Sequence, residues 1–186
     1  ASLSNKNIKL VGLWHPRPER LKEACNKHNL HAYETWEDLV NDSEIDGIII
    51  ATPPAPRYEL ALEAIKKGKH LLLEKPTCLN SEEVKELQRN ALKRNLKIAV
   101  DYEYRAVPLF MQAKRIINEK KLDEPYFVKL DWLMSSRANP DRPWNWYSDE
   151  DSGGGVLGAL GTHAYDMIHW LIGPTHSLSA INSTSI

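Results

Sequence analysis

The chain has 186 residues, of which 42% are hydrophobic and 26% charged, and its formal net charge is −1. This is an ordinary globular composition; lysine and arginine are scattered and no long apolar run occurs, so we expect neither nucleic acid nor a membrane as a partner. Because Cys25 and Cys78 fit neither a metal-ligand nor a CxxC spacing, we expect no metal site and a reducing, cytoplasmic compartment.

Short apolar segments alternate with helical patterns up to about residue 101. Four segments have strand length, at residues 8–14, 46–52, 70–74 and 97–100. The helices between them carry the usual end signals, which are Pro18 in a first turn, Gly68 after a last turn, and Asn80 with Glu83 at a start. Strands that are apolar throughout and alternate with helices predict an α/β fold with a doubly wound parallel sheet, covered on both faces.

The pattern changes in the remainder of the chain. The spacing of apolar residues predicts a helix over 107–118, a longer strand over 125–134 and a second helix over 156–172. The loop between the last two is long, which is typical of functional or disordered segments, and its aromatic residues favour an ordered loop. We therefore expect one domain at residues 1–121 and the start of a second domain at 122–186.

Two charged residues follow the leucine-rich segment 70–73. Ligands of open α/β sheets bind beyond the carboxyl ends of the strands, so we expect Glu74 and Lys75 to lie in a cleft. A cis Lys75–Pro76 bond is one way to turn the lysine toward a ligand, and partial desolvation would suit it for acid–base chemistry. A solvated salt bridge at the end of the strand is the alternative interpretation.

Three motifs, in order, resemble one family. ATPP followed by ALEAIKKGKHLLLEKPTCLN is similar to the EKP-motif segment of the Gfo/Idh/MocA oxidoreductases, relatives of glucose–fructose oxidoreductase and inositol dehydrogenase. YEYRAVP resembles their next strand and turn, and GGGVLGALGTHAYDMIHWLIG resembles their GGGxLxDxGxHxxD helix. The resemblance runs from about residue 8 to the end.

The resemblance implies an NAD(P)-dependent dehydrogenase that moves a hydride between nicotinamide and a sugar, polyol or related carbonyl substrate. Residues 1–121 would form part of a Rossmann-type NAD(P)-binding domain. Residues 122–186 would start an α+β domain with a largely antiparallel sheet, which binds substrate and pairs subunits into a homo-oligomer. The missing GxGxxG turn leads us to expect a piece of a chain about twice as long, which alone binds dinucleotide poorly.

The same resemblance implies roles for individual residues. Lys75 would hydrogen-bond the reacting oxygen, and His163 would be the proton donor and acceptor. The residues implied beside the cofactor are Thr52, Pro53, Glu74 and Lys75, and those implied beside the substrate are Arg105 and Asp166. Trp144 could stack on a sugar ring or anchor its loop, and Arg137 and Arg142 in that loop could attract an anion.

Helix geometry gives a separate view of His163. At about 100° per residue, Ala159, His163 and Asp166 share one narrow sector with Trp170. The apolar stripe, which includes Leu160, points to an adjacent side, so we expect the histidine face to be separate from the packing face. Without the motifs His163 would be an ordinary helix residue; with them we expect it to be catalytic.

Two of the chain's departures from the family pattern are single residues, Ala159 and Arg57. Ala159 stands where many relatives have aspartate, which weakens the polyol-dehydrogenase interpretation. It supports the alternative of a catalytically inactive nucleotide- or sugar-binding member that acts as a sensor or scaffold. Arg57 stands where a histidine is frequent, and we interpret it as a surface residue at a helix start, with a cation in the cleft as the alternative.

The end of the first strand bears on the choice of cofactor. Relatives that use NAD commonly carry an acid there, whereas this chain has His15, Pro16 and Arg17. No carboxylate would repel a 2′-phosphate, and Arg17 could pair with it, so we favour NADP over NAD. A solvated first-turn arginine is the alternative interpretation.

Overall fold

The computed structural model describes residues 7–134, 139, 141 and 143–183. The chain divides into two compact units, one formed by Ala1–Thr52 with Pro56–Val100 and the other by Pro53–Ala55 with Asp101–Ile186. We call them the first and the second unit. The predicted domain boundary at residue 121 stays a prediction.

The first unit alternates strands and helices, and its strand pairs are parallel. Its elements are β1 (Gly12–Leu13), α1 (Pro18–His28), β2 (His31–Ala32), α2 (Trp36–Asn41), β3 (Gly47–Ile50), α3 (Pro54–Lys66), β4 (His70–Leu73), α4 (Ser81–Lys93) and β5 (Ile98–Val100). β1 pairs with β2, and β4 lies between β3 and β5 with Ile50 opposite Leu73 and Leu73 opposite Val100. The α/β class with Rossmann-like parallel sheets is therefore confirmed.

Some elements of this unit differ from their predicted form. The first predicted strand pairs only over Gly12–Leu13, and β2 and α2 were not predicted. The sequence contains a start signal for α2, the N-cap residue Thr35. In the structure its side chain accepts a hydrogen bond from the Asp38 amide and caps the helix. The predicted start of α4 is confirmed, with the Glu83 amide donating to Asn80 Oδ1 at 3.0 Å.

The hydrophobic core of the first unit lies between the central strands and α2, α3 and α4. Alternate residues of β3 and β4 point into it, and its fully buried members include Ile65, Leu73 and Val40. The expectation that both faces of each strand are covered is wrong for β3, because Ile49 is more than half exposed. The core thus holds the carboxyl ends of β3 and β4 side by side, where the predicted site residues follow.

The regular elements in the described residues of the second unit are all helical. Its elements are a 3-10 helix (Glu103–Ala106), α5 (Pro108–Asn118), a 3-10 turn (Trp146–Ser148), a π-helix (Leu157–Gly161) and α6 (Thr162–Leu171). The helix predicted over 156–172 is therefore present, but its first turn is a π-helix.

The strand predicted over 125–134 is not formed, and the antiparallel sheet is not confirmed. A strand needs a neighbour that supplies ladder hydrogen bonds, and the described residues of this unit supply none. Tyr126 and Leu133 are accordingly almost fully exposed. None of the helices in the described stretches combines the length and the apolar character needed to cross a lipid bilayer.

Candidate active site

Lys75 lies in the loop directly after β4, between two residues whose backbones are fixed. The Glu74 amide donates to Ile50 O at 3.1 Å and extends the pairing of β4 with β3. The Glu74 carboxylate accepts from the Lys75 amide at 3.0 Å. The Lys75–Pro76 bond is cis, as the sequence suggested, and both Glu74 and Lys75 are half-buried.

Arg57 in α3 holds this loop from inside the unit. Its side chain is only 1% exposed, so the interpretation as a surface residue is wrong. The guanidinium donates to the backbone carbonyls of Thr52, Glu74 and Pro76. Burial lowers the pKa of Arg57, and the Glu74 carboxylate opposes that shift, so the cation is retained at neutral pH.

Thr52 marks the carboxyl end of β3. Its carbonyl accepts from Arg57, whereas its buried hydroxyl has no hydrogen-bond partner among the described residues. A buried hydroxyl without a partner costs about 1–3 kcal/mol, which a ligand atom placed beside it would recover. The residue therefore fits the predicted contact with a dinucleotide, and the neighbouring Pro53 is exposed.

His15 and Arg17 lie together between β1 and α1. His15 Nδ1 accepts from the Arg17 amide at 2.9 Å, so the neutral ring carries its hydrogen on Nε2. Arg17 is the N-cap residue of α1 and is exposed. The predicted contact of Arg17 with a 2′-phosphate stays a prediction.

His163 lies in the first turn of α6 and is only 3% exposed. Three aromatic rings surround it, with centroid distances of 4.8 Å to Tyr104, 5.9 Å to Tyr102 and 6.1 Å to Trp132. Its Nε2 is 3.7 Å from Glu103 Oε1, and a carboxylate at that distance stabilises positive charge on the ring. The rings and the carboxylate therefore surround an imidazole that is largely shielded from water.

The histidine face of this helix is not separate from the packing face, so that prediction is wrong. Ala159 and His163 are the buried residues, whereas Leu160 and the other apolar residues of the stripe are only half-buried. Two features account for the difference. The π-helix changes the angular spacing between positions 159 and 163, and the aromatic rings cover the histidine.

Arg105 and Asp166 pair with each other. Arg105 Nε donates to Asp166 Oδ2 at 2.8 Å, and a second donor of the guanidinium reaches the other carboxylate oxygen. The pair raises the pKa of Arg105, whose guanidinium also lies 6.0 Å from the ring centroids of both Tyr102 and Trp170. Burial raises the pKa of Tyr102 as well. The predicted substrate contacts of Arg105 and Asp166 stay predictions.

Two of the aromatic residues in the loop before α6 stack on each other. Trp146 and Tyr147 stack at 3.9 Å, while Trp144 is 78% exposed and its predicted contact with substrate stays a prediction. Arg137 and Arg142 lie outside the described residues. The glycines that follow are required by the geometry: Gly155 has φ of 79°, and a Cβ on Gly154 would lie 2.2 Å from Trp146 O.

The structure therefore gathers the predicted site residues into separate groups. In the first unit the backbone carbonyls of Thr52, Glu74 and Pro76 surround the Arg57 guanidinium, whose burial the sequence did not predict. In the second unit His163 lies one turn from the Arg105–Asp166 pair. The action of Lys75 and His163 on one substrate, which the family resemblance implies, stays a prediction. The described residues contain no cluster of His, Cys, Asp or Glu suited to a metal ion.

Two family models match the chain. Residues 1–102 match an oxidoreductase family with an NAD-binding Rossmann fold, and residues 110–186 match the GFO/IDH/MocA C-terminal domain. Together the two models account for most of the sequence, in the order that the motifs predict.

Curated relatives and solved structures agree with these models. The chain is 38% identical to an uncharacterized oxidoreductase of Synechocystis sp. over 98% of its own length and 49% of the relative. It is 30% identical to levoglucosan dehydrogenase of Pseudarthrobacter phenanthrenivorans over 91% of its length and 44% of the relative. A levoglucosan dehydrogenase in complex with NADH and levoglucosan superposes with a TM-score of 0.77 at 26% identity, covering 88% of this chain and 45% of that one. The chain spans about half the length of the curated relatives it matches.

Proposed function

The chain belongs to the Gfo/Idh/MocA family of oxidoreductases, and from this premise we propose that the whole protein is an NAD(P)-dependent dehydrogenase acting on a CH–OH group of a sugar or polyol. The observation that carries the proposal is the pair of neighbouring strand ends. Thr52 after β3 offers a buried hydroxyl without a partner among the described residues, and Lys75 follows β4 beside it. Ligands of open α/β sheets bind at such strand ends. The similarity to levoglucosan dehydrogenase supports the substrate class.

The chain's own residues have distinct tasks in this proposal. Lys75 donates a hydrogen bond to the reacting oxygen, while Glu74 and Thr52 help to orient the cofactor. His163 takes the proton from the substrate hydroxyl, and the Glu103 carboxylate beside Nε2 stabilises the imidazolium that results. Bound NAD(P) supplies the hydride acceptor. The aromatic rings around His163 exclude water from the proton that is moved.

The experiment is a screen of sugars and polyols, including levoglucosan, with NAD and NADP on the whole protein. Lys75→Met and His163→Asn should each lower turnover by about 10²–10⁴-fold, because each removes a group that transfers or stabilises a proton. Cofactor binding, followed by nicotinamide fluorescence, should change little for His163→Asn. Lys66→Ala removes an exposed cation from α3 and is the matched control, with full turnover. A protein that binds dinucleotide but turns over no substrate would instead be a sensor.

The preference for NADP over NAD is part of the proposal. Exposed Arg17 and the Nε2–H of His15 are both donors, and both follow the first strand, which supports a contact with a 2′-phosphate. Arg17→Ala should therefore raise KM for NADP by about tenfold and leave KM for NAD unchanged, as loss of one phosphate contact implies. An unchanged KM for NADP would contradict the phosphate contact and favour the solvated interpretation of Arg17.

We further propose that the whole protein is a cytoplasmic homo-oligomer that pairs through residues 125–134. Both cysteines are buried free thiols, which fits a reducing compartment. The segment exposes Tyr126, Phe127 and Leu133, a row of large apolar side chains that a partner strand could cover. Light scattering should give a multiple of the subunit mass, and Phe127→Lys should lower that mass.

A further inference from the structure

Arg57 is placed where it contacts the backbone on both sides of Lys75. Two of its three acceptors are the carbonyls of Glu74 and Pro76, the residues that flank the lysine in sequence. The third acceptor is the carbonyl of Thr52, at the end of the neighbouring strand. The guanidinium therefore joins the ends of β3 and β4 and the loop that carries the lysine.

The chemistry of the guanidinium explains why arginine suits this position. Carbonyls beyond the last paired residue of a strand have lost their ladder donors, and buried carbonyls without donors are costly. A guanidinium carries five N–H groups in one rigid plane, so it can hold several carbonyls at fixed relative directions. A lysine ammonium at the same place would satisfy fewer of them and would impose no common plane.

From this geometry we infer that Arg57 is a positioning residue for Lys75. Because the carbonyls before and after Lys75 are fixed, the direction of its Cα–Cβ bond is fixed as well, and the amine is aimed before any ligand binds. The Glu74 carboxylate offsets part of the cost of burying the Arg57 cation. This inference rests on the proposed function, in which Lys75 contacts the reacting oxygen.

The test compares Arg57→Ala, Arg57→Lys and the control Lys66→Ala in the whole protein. Arg57→Ala should lower kcat by about 10²-fold, the effect of a catalytic group misplaced by about 1 Å, while KM and cofactor affinity stay within about threefold. Arg57→Lys should be intermediate, and millimolar guanidinium should restore part of the kcat of Arg57→Ala. Lys66→Ala should match the unchanged protein.

Two results would overturn the inference. One is a kcat of folded Arg57→Ala within about threefold of the unchanged protein, a change too small for a misplaced catalytic group. The other is a loss of kcat that follows the folded fraction, measured by circular dichroism, and that guanidinium does not restore. If Arg57→Ala does not fold, the same criteria apply to Arg57→Lys.

Hydrogen exchange separates this inference from the proposed function. If the unchanged protein turns over no substrate, the proposed function fails, but the exchange of the Glu74, Lys75 and Thr77 amides still reports how the loop is held. In Arg57→Lys these amides should exchange at least about tenfold faster, as expected for loss of a local hydrogen bond, while α4 is unchanged. Unchanged exchange in this loop would overturn the positioning role.

Discussion

The two units hold their candidate site residues by different means. The first unit has a hydrophobic core of its own, and Lys75 is fixed through backbone carbonyls at the end of a core strand. Among the described residues of the second unit from Asp101 onward, Ala159 is the one buried hydrophobic residue, and the large side chain buried with it is His163. There the site residue is held by aromatic rings and by a neighbouring ion pair. Lys75 is positioned by backbone contacts at the end of a sheet, and His163 is positioned by side chains. Mutations around the two residues should therefore have different effects on local stability.

The largest difference should come from truncating buried aliphatic residues. Leu73 in β4 is fully buried, so Leu73→Ala should lower the free energy of unfolding of the first unit by about 2–5 kcal/mol. Ile168 in α6 is half-buried, and Ile168→Ala should cost about 1–2 kcal/mol, in proportion to the area it buries. Hydrogen exchange of β3 and α6 peptides in the whole protein measures each cost locally.

Equal costs at these two positions would contradict the comparison, because they would mean that the second unit has a core as tightly packed as the first. Gln88→Ala on the exposed side of α4 is a control that should stay within about 0.5 kcal/mol.

Features that depend on local sequence could be predicted, whereas features that depend on contacts between distant residues could not. β3, β4 and the capped start of α4 follow from local signals: apolar runs, and an Asn80–Glu83 pair three residues apart. The burial of Arg57 does not, because its acceptors Glu74 and Pro76 lie 17 and 19 residues away in sequence. A charged residue in a first helical turn is usually solvated, and only the folded loop shows otherwise.

The wrong predictions in the second unit also concern features that depend on residues distant in sequence. Alternating apolar residues over 125–134 predict a strand, but pairing depends on a neighbour that local sequence does not specify. The partner of Asp166 is Arg105, 61 residues earlier, and the rings around His163 come from other segments too. Local periodicity could therefore identify the helix of His163 but not which of its faces is covered.

The second prediction removes a ring from the histidine site. Tyr104 lies 4.8 Å from the His163 ring and 5.5 Å from Trp132, both edge-on. Tyr104→Ala should lower the local stability of the second unit by about 1–3 kcal/mol, since each such pair contributes about 0.5–1.5 kcal/mol. It should also speed the modification of His163 by diethyl pyrocarbonate. Leu109→Ala in α5 is the control, because that side chain is 80% exposed, and it should alter neither quantity.

The third prediction compares ion pairs in the two units. A double-mutant cycle on Arg105 and Asp166 should give a coupling energy of about 1 kcal/mol, because the contact is bidentate and the Asp166 side chain is only 9% exposed. The Lys85–Glu82 pair on α4 has both side chains more than half exposed, and its coupling should be below about 0.5 kcal/mol. Raising the salt concentration should weaken the second coupling more than the first. A larger coupling on α4 would show that burial is not what strengthens the pair beside His163.

The smallest effect should appear at alkaline pH, at a buried tyrosine of the first unit. Burial, with a hydrogen bond to Asp42, raises the pKa of Tyr33 to about 12. The unfolded pKa is about 10, so the stability due to neutral Tyr33 is fully present below pH 10. It is lost between about pH 10 and 12, because the unfolded chain releases this proton first.

Tyr33→Phe removes this titration together with the hydrogen bond. At pH 8 the variant should be less stable by about 1 kcal/mol, the usual net value of one hydrogen bond. The difference should shrink as the pH rises through 10, because only the unchanged protein then loses stability at this site. Burial also raises the pKa of Tyr102 in the second unit. The difference in stability between the unchanged protein and Tyr102→Phe should therefore also shrink as the pH rises. The midpoints of urea unfolding between pH 8 and 11 measure both differences in stability. A difference that grows with pH would contradict the prediction, because it would mean that the folded protein favours the ionised tyrosine.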